Sequence, residues 1–159
     1  MLGTLLATIL ALAGLLHIGW AAGLSFPFAN EQALARSVVG RRGITVLPSR
    51  AGTGFVGVLL LAAALAAWIM GQDPEALPRE AKLLLLPSGL LLTAVFLVRA
   101  VAGILPAFER SAPEEPYLTL NRRLYSPLCA FIAAGFLVLT FRLPNWNWWL
   151  AQIGFQTAP

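Results

Sequence analysis

Few residues in this sequence are equipped for chemistry, and those that are stand inside or beside long apolar runs. The only histidine, His17, falls three residues before Trp20 in a segment otherwise made of Leu, Ala, Gly and Ile. Arg99 interrupts the run Leu97-Val98-Arg99-Ala100-Val101, and the only cysteine, Cys129, follows Tyr125-Ser126-Pro127-Leu128. An imidazole can take or give a proton, and a guanidinium can hold a carboxylate, phosphate or carbonyl oxygen. Trp20 and Tyr125 can flank an apolar body. A titratable group in apolar surroundings is costly unless something polar meets it. The candidate ligand-binding set is therefore His17, Trp20, Arg99, Tyr125, Ser126 and Cys129.

Several chemistries fall away at once. One histidine cannot supply bis-histidine haem ligation within one chain. A zinc site built on His17 and Cys129 lacks further ligands, because no Asp or Glu lies in any apolar run. The same absence argues against a proton-driven transporter, and four spans are few for a carrier unless it dimerises. No metal and no cofactor is expected. A single cysteine excludes an internal disulfide. A Cys129/His17 nucleophile pair is conceivable, but only the proximity of an arginine would activate the thiol. The net charge of +4 could suggest nucleic acid, yet no basic stripe interleaved with exposed aromatics stands outside the apolar runs, so no nucleic-acid partner is expected.

The elements that must position these residues are membrane spans. Of 159 residues 58% are hydrophobic and 11% charged, against about 25% charged in a soluble domain. A helix crosses the hydrocarbon core in roughly 20 residues. Four segments have that length, about 2–24, 51–70, 83–105 and 124–143, and lipid requires each to satisfy its own backbone as a helix. The expected fold is an all-α integral membrane four-helix bundle, one domain over residues 1–159. The first run is longer than a secretory core and has no basic residue before it, so it is expected to span rather than be cleaved.

Asn30-Glu31-Gln32 predicts a short helix start in the first connection, with Leu34 and Val38 on one side and Gly40 at its end, lying at the interface. Pro87-Ser88-Gly89 predicts a kink in the third span. Ser126-Pro127 suits either the cap and first position of the fourth span or a kink one turn inside a longer helix. The tail Pro144-Asn145-Trp146-Asn147-Trp148-Trp149 has the composition of an interfacial anchor. Gly19/Gly23, Ala62/Ala66, Ala63/Ala67 and Ala130/Ala134 are spaced for close helix contacts.

Orientation follows from the basic residues. Arg36, Arg41, Arg42, Arg50, Arg99, Arg110, Arg122 and Arg123 belong to the first and third connections, against Arg79, Lys82 and Arg142 on the opposite side. That asymmetry puts the first and third connections in the cytoplasm and both termini outside. At 1.5 Å per residue, His17, Arg99 and Cys129 then each lie ~10 Å inside the cytoplasmic boundary. His17 shares a face with Gly14 and Trp20, Arg99 with Ala102 and Gly103, and Tyr125 with Arg122, Ser126 and Cys129. If those faces look inward, they enclose a shallow pocket for an amphiphile with a polar end. The plainer readings are that Arg99 snorkels to the interface, His17 bonds a backbone carbonyl or the Tyr125 hydroxyl, Cys129 fills space and Ser126 caps a helix.

His17-Ile18-Gly19-Trp20-Ala21-Ala22-Gly23, Ala35-Arg36-Ser37-Val38-Val39-Gly40-Arg41 with Gly43-Ile44-Thr45 and Pro48, Leu97-Val98-Arg99-Ala100, and Arg123-Leu124-Tyr125-Ser126-Pro127-Leu128-Cys129 together carry a resemblance. The chain resembles, over nearly its whole length, a family of small bacterial four-helix membrane proteins catalogued as a domain of unknown function. Ser111 to Pro116 departs from the pattern. The resemblance implies a multi-pass protein of the bacterial inner membrane and transfers no activity. Three readings stand open: a non-enzymatic protein binding a lipid-like or other amphiphilic small molecule, a membrane-embedded enzyme using His17 as general base, and an accessory subunit or homodimer that packs against other membrane helices.

Overall fold

A computed structural model describes residues 1–73 and 76–143. The Trp-rich tail and Pro74 of the second connection lie outside the described residues. Six helices follow in order: α1 (Leu2–Ala21), α2 (Glu31–Val38), α3 (Arg50–Met70), α4 (Arg79–Ile104), α5 (Pro106–Ser111) and α6 (Tyr117–Phe141). Among them α1, α3, α4 and α6 are long and apolar enough to cross a membrane. They run alternately up and down. Their outer surfaces expose Leu12, Leu15, Phe55, Leu59, Leu84, Leu91, Val98 and Phe141, which in water would be a large unfavourable apolar area and in a bilayer meets acyl chains.

α1 packs along α3 and α4 along α6, while contacts between the two pairs are few. The α1–α3 seam closes at glycines. A Cβ on Gly14 would sit 3.0 Å from the Gly57 carbonyl, and one on Gly3 2.5 Å from the Gly71 Cα. Small residues thus let these backbones meet, as in other close membrane-helix contacts. Of the four-apart pairs expected at contacts, Ala63 and Ala67 are buried, whereas Ala62, Ala130 and Ala134 are exposed. Gly19 lies beside the Leu24 side chain rather than another span, and Gly23 lies beside the Arg50 guanidinium at the start of α3.

The two pairs share one apolar core, and it lies at the end that carries the N-terminus and the second connection. Leu6 and Leu10 of α1, Ala63, Ala64, Ala67 and Met70 of α3, Leu85 and Leu86 of α4, and Ile132, Phe136 and Leu139 of α6 are buried there together. At the other end, called here the cap end, the buried apolar cluster is Trp20, Leu34, Ala35 and Leu47, with Leu16, Val38 and Ile44 against it. Helix α2 therefore packs the side bearing Leu34 and Val38 against this cluster and leaves Gln32 and Arg36 exposed. Its start is fixed by Asn30, whose side chain accepts from the Ala33 N–H at 2.9 Å. Gly40 closes it at φ +67°, a conformation that a side chain would strain.

The first and third connections dock on each other at the cap end. Arg36 pairs with Glu114 at 3.2 Å and also donates to the Glu115 carbonyl. The Glu114 N–H donates to the Gly40 carbonyl at 3.0 Å, and the Gly43 N–H donates back to the Glu114 carboxylate at 3.3 Å.

The fourth span begins at Tyr117, well before the Leu124 that the charges of Arg122 and Arg123 suggest. Ser126 does not cap it. The helix passes through a π turn at Asn121–Tyr125, in which the Ser126 N–H bonds the Asn121 carbonyl. Pro127 explains the widening, because it has no N–H to give the Arg123 carbonyl one regular turn earlier.

Candidate functional site

Arg99 stands on α4 one turn before Gly103, and its guanidinium runs toward the cap end across α6. Nη2 donates to Oδ1 of Asn121 at 3.0 Å and to the Tyr117 hydroxyl at 3.3 Å. The Phe108 ring covers the guanidinium, with Cζ 5.1 Å from the ring centroid. Asn121 is fully buried and its amide donates to the Gly103 carbonyl, while the buried Ser126 hydroxyl donates to Asn121 Oδ1 at 3.4 Å. A Cβ on Gly103 would lie 2.5 Å from Arg99 Nη1. Glycine here is what lets the cation and the π turn pack against α4. Nη1 is buried and has no hydrogen-bond partner. No carboxylate touches the guanidinium among the described residues.

Tyr117 and Tyr125 extend this cluster toward α2. Their rings lie 6.1 Å apart, and the Tyr117 ring packs on Gly40, where a side chain would collide with it. The Tyr125 hydroxyl donates to the Ser37 carbonyl at 3.1 Å. That carbonyl is in the last turn of α2 and has no N–H one turn further on to bond it, so the phenol serves as its partner. Cys129 is half-buried one turn beyond Tyr125, within electrostatic reach of Arg99 and Tyr117.

His17 and Trp20 form a second group. Their ring centroids lie 4.7 Å apart with the planes tilted by 47°. His17 Nδ1 lies 2.8 Å from the Ala13 carbonyl. A carbonyl only accepts, so Nδ1 carries the hydrogen, and in the neutral ring Nε2 is the free acceptor. Trp20 Nε1 donates to the Phe26 carbonyl at 2.7 Å, tying α1 to the first connection.

The six residues singled out from the sequence thus divide. Arg99, Tyr125, Ser126 and Cys129 gather around α6, and His17 and Trp20 gather on α1. Among the described residues no hydrogen bond or ring contact joins His17 to Arg99, Tyr125 or Cys129. His17 takes a backbone carbonyl, one of the two partners foreseen for it, and no base–nucleophile dyad forms with Cys129. Helix α2 links the groups, with Leu34 and Ala35 against Trp20 and the Ser37 carbonyl on Tyr125. Among the described residues no three of His, Cys, Asp and Glu are grouped to hold a metal ion.

Tyr117 and Asn121, which bind Arg99 directly, were not singled out from the sequence. The signal was present as Tyr117, Asn121 and Tyr125 at four-residue spacing, a continuous face if the helix is extended backwards through the arginines.

The family described as "Protein of unknown function (DUF3995)" matches residues 10–136. The chain belongs to this family. No curated protein and no solved structure matches the chain. The DUF3995 match takes in every residue of both groups, from His17 to Cys129, together with the two docked connections. The family description carries no activity, so function is argued from the geometry alone.

Proposed function

We propose that this protein is a non-enzymatic multi-pass protein of the bacterial inner membrane that binds the anionic end of an amphiphile at Arg99, in the cytoplasmic half of the bundle. The observation that carries the reading is the unpartnered Nη1 of Arg99, buried in a cluster whose other members are all neutral. A buried cation is tolerated when paired, and its neighbours Asn121, Tyr117 and Ser126 supply dipoles but no counter-charge. A carboxylate or phosphate head would supply it, held by a guanidinium whose planar fork suits either group. His17, through Nε2, and Trp20 would line the way past α2. The cytoplasmic placement of the cap end rests on the eight basic residues at that end against three at the other.

The test is native mass spectrometry of protein purified in mild detergent. The wild type should retain an anionic lipid or fatty acid. Arg99→Lys, which keeps the charge, should retain much of it, and Arg99→Gln should lose about tenfold, as expected for one charge-assisted contact. Equal retention by wild type and a folded Arg99→Gln protein would overturn the proposal.

A further inference from the structure

We infer a second, surface-facing site at the cap end that binds the phosphate of an anionic phospholipid, in the groove between Arg42 and Arg110. The inference is independent of the reading given for Arg99. The groove has a volume of about 640 Å³ and is lined by Arg42, Pro106, Glu109, Arg110 and Pro113.

Its charge state follows from where the carboxylates of the two connections are spent. Glu31 faces Arg50 at 3.8 Å, Glu114 pairs with Arg36, and Glu115 accepts from the Thr119 hydroxyl and N–H. Glu109, the acid within the groove, is held by Arg122 through both oxygens, Nε to Oε1 and Nη2 to Oε2 at 2.6 Å. The Arg122 hydrogen bonds and charge hold the Glu109 carboxyl below its ordinary range. Its negative charge is thereby compensated at neutral pH. Arg42 and Arg110 are both exposed, and neither has a side-chain partner among the described residues. Two uncommitted guanidiniums therefore line one groove, and an oxyanion that can accept from both is the ligand they fit.

The position favours a lipid over a soluble phosphate. The groove opens beside Pro106, immediately after the end of α4, where Ile104 and Leu105 are 58% and 48% exposed. A headgroup in the groove would leave its acyl chains against those residues. Basic side chains at this level are attracted to anionic lipid and act within a Debye length of the surface.

The full-length protein is incorporated into phosphatidylcholine nanodiscs with and without phosphatidylglycerol, and retained lipid is counted by native mass spectrometry. Wild type should favour phosphatidylglycerol over phosphatidylcholine about tenfold, as expected for two arginines near a membrane surface. In an Arg99→Gln background, where lipid held at Arg99 does not contribute, Arg42→Gln with Arg110→Gln should bring that ratio close to one. Arg41→Gln with Arg123→Gln removes as much positive charge from exposed residues at the same end and should leave the ratio largely intact. Both double variants alter exposed side chains without partners, and folding is checked by size-exclusion profile and thermal unfolding. An equal loss in the two double variants, an unchanged ratio in the first, or full displacement of the lipid by inorganic phosphate at millimolar concentration would each overturn the inference.

Discussion

At the scale of single residues, the cap end depends on how one cation is held. Asn121 gives Arg99 its shortest hydrogen bond and at the same time fills the Gly103 carbonyl. Replacing it with leucine keeps the branched outline and removes both interactions, leaving Nη2 with the Tyr117 hydroxyl as its hydrogen-bond partner. Asn121→Leu is therefore expected to cost about 2–3 kcal/mol, the range for a lost hydrogen bond to a charged group in a buried setting. Tyr125→Phe removes one neutral bond to the Ser37 carbonyl and should cost about 1 kcal/mol. Thermal unfolding in detergent measures both, and a reversed order would mean that Arg99 is not organised by the π turn.

At the scale of elements, α2 and α6 decide the architecture, and they are where the sequence was hardest to read. The four spans were legible because apolar runs of that length have one structural solution in lipid. The start of α6 was not, because Arg122 and Arg123 resemble the edge of a span, whereas here they lie on a helix that continues toward the cap and Arg122 is neutralised by Glu109. Helix α2 reads from sequence as a short interfacial element with Leu34 and Val38 on one side, which does not by itself foretell how deeply Ala35 and Ser37 are covered. Leu34, Ala35 and Ser37 are nonetheless buried, because α2 occupies the room left between two helix pairs whose common core lies at the opposite end. Of the candidate site, Arg99 and Ser126 could be chosen by residue type in an apolar run. Tyr117 and Asn121 could not, because the charged stretch 107–123 reads as a connection between spans. Gly40 tests the docking of α2. It has φ +67° and lies against the Tyr117 ring, so Gly40→Ala brings both backbone strain and a collision. Amides of α2 are expected to exchange at least tenfold faster in that variant, as measured by hydrogen–deuterium exchange, with α1 and α3 little changed. Unchanged protection of α2 would show that its docking does not run through this contact.

At the scale of the whole molecule, the polar groups collect at one end and the shared apolar core at the other. A membrane protein built this way has a shared apolar core at one end and, at the other, a half joined by a short helix, two docked connections and a half-buried cation. The excess of arginine supports the proposed placement of the cap end in the cytoplasm. In a Cys129→Ser background, a membrane-impermeant maleimide applied to intact spheroplasts should label Gln72→Cys and should reach Thr45→Cys only after permeabilisation. The opposite pattern would invert the topology and remove the cytoplasmic source of ligand.

An anionic head received by Arg99 is what would complete the cap end. The most direct test is the unfolding temperature of delipidated protein titrated with two amphiphiles of identical chains, one anionic and one zwitterionic, in the Arg42→Gln/Arg110→Gln background so that the surface groove does not contribute. At a hundredfold excess over Kd the anionic amphiphile should add about 2.7 kcal/mol, a rise of roughly 5–10 °C for a chain of this size. The zwitterionic one should add little, and a further Arg99→Gln change should abolish the difference. Equal shifts from the two amphiphiles, or a shift that survives Arg99→Gln, would contradict the account.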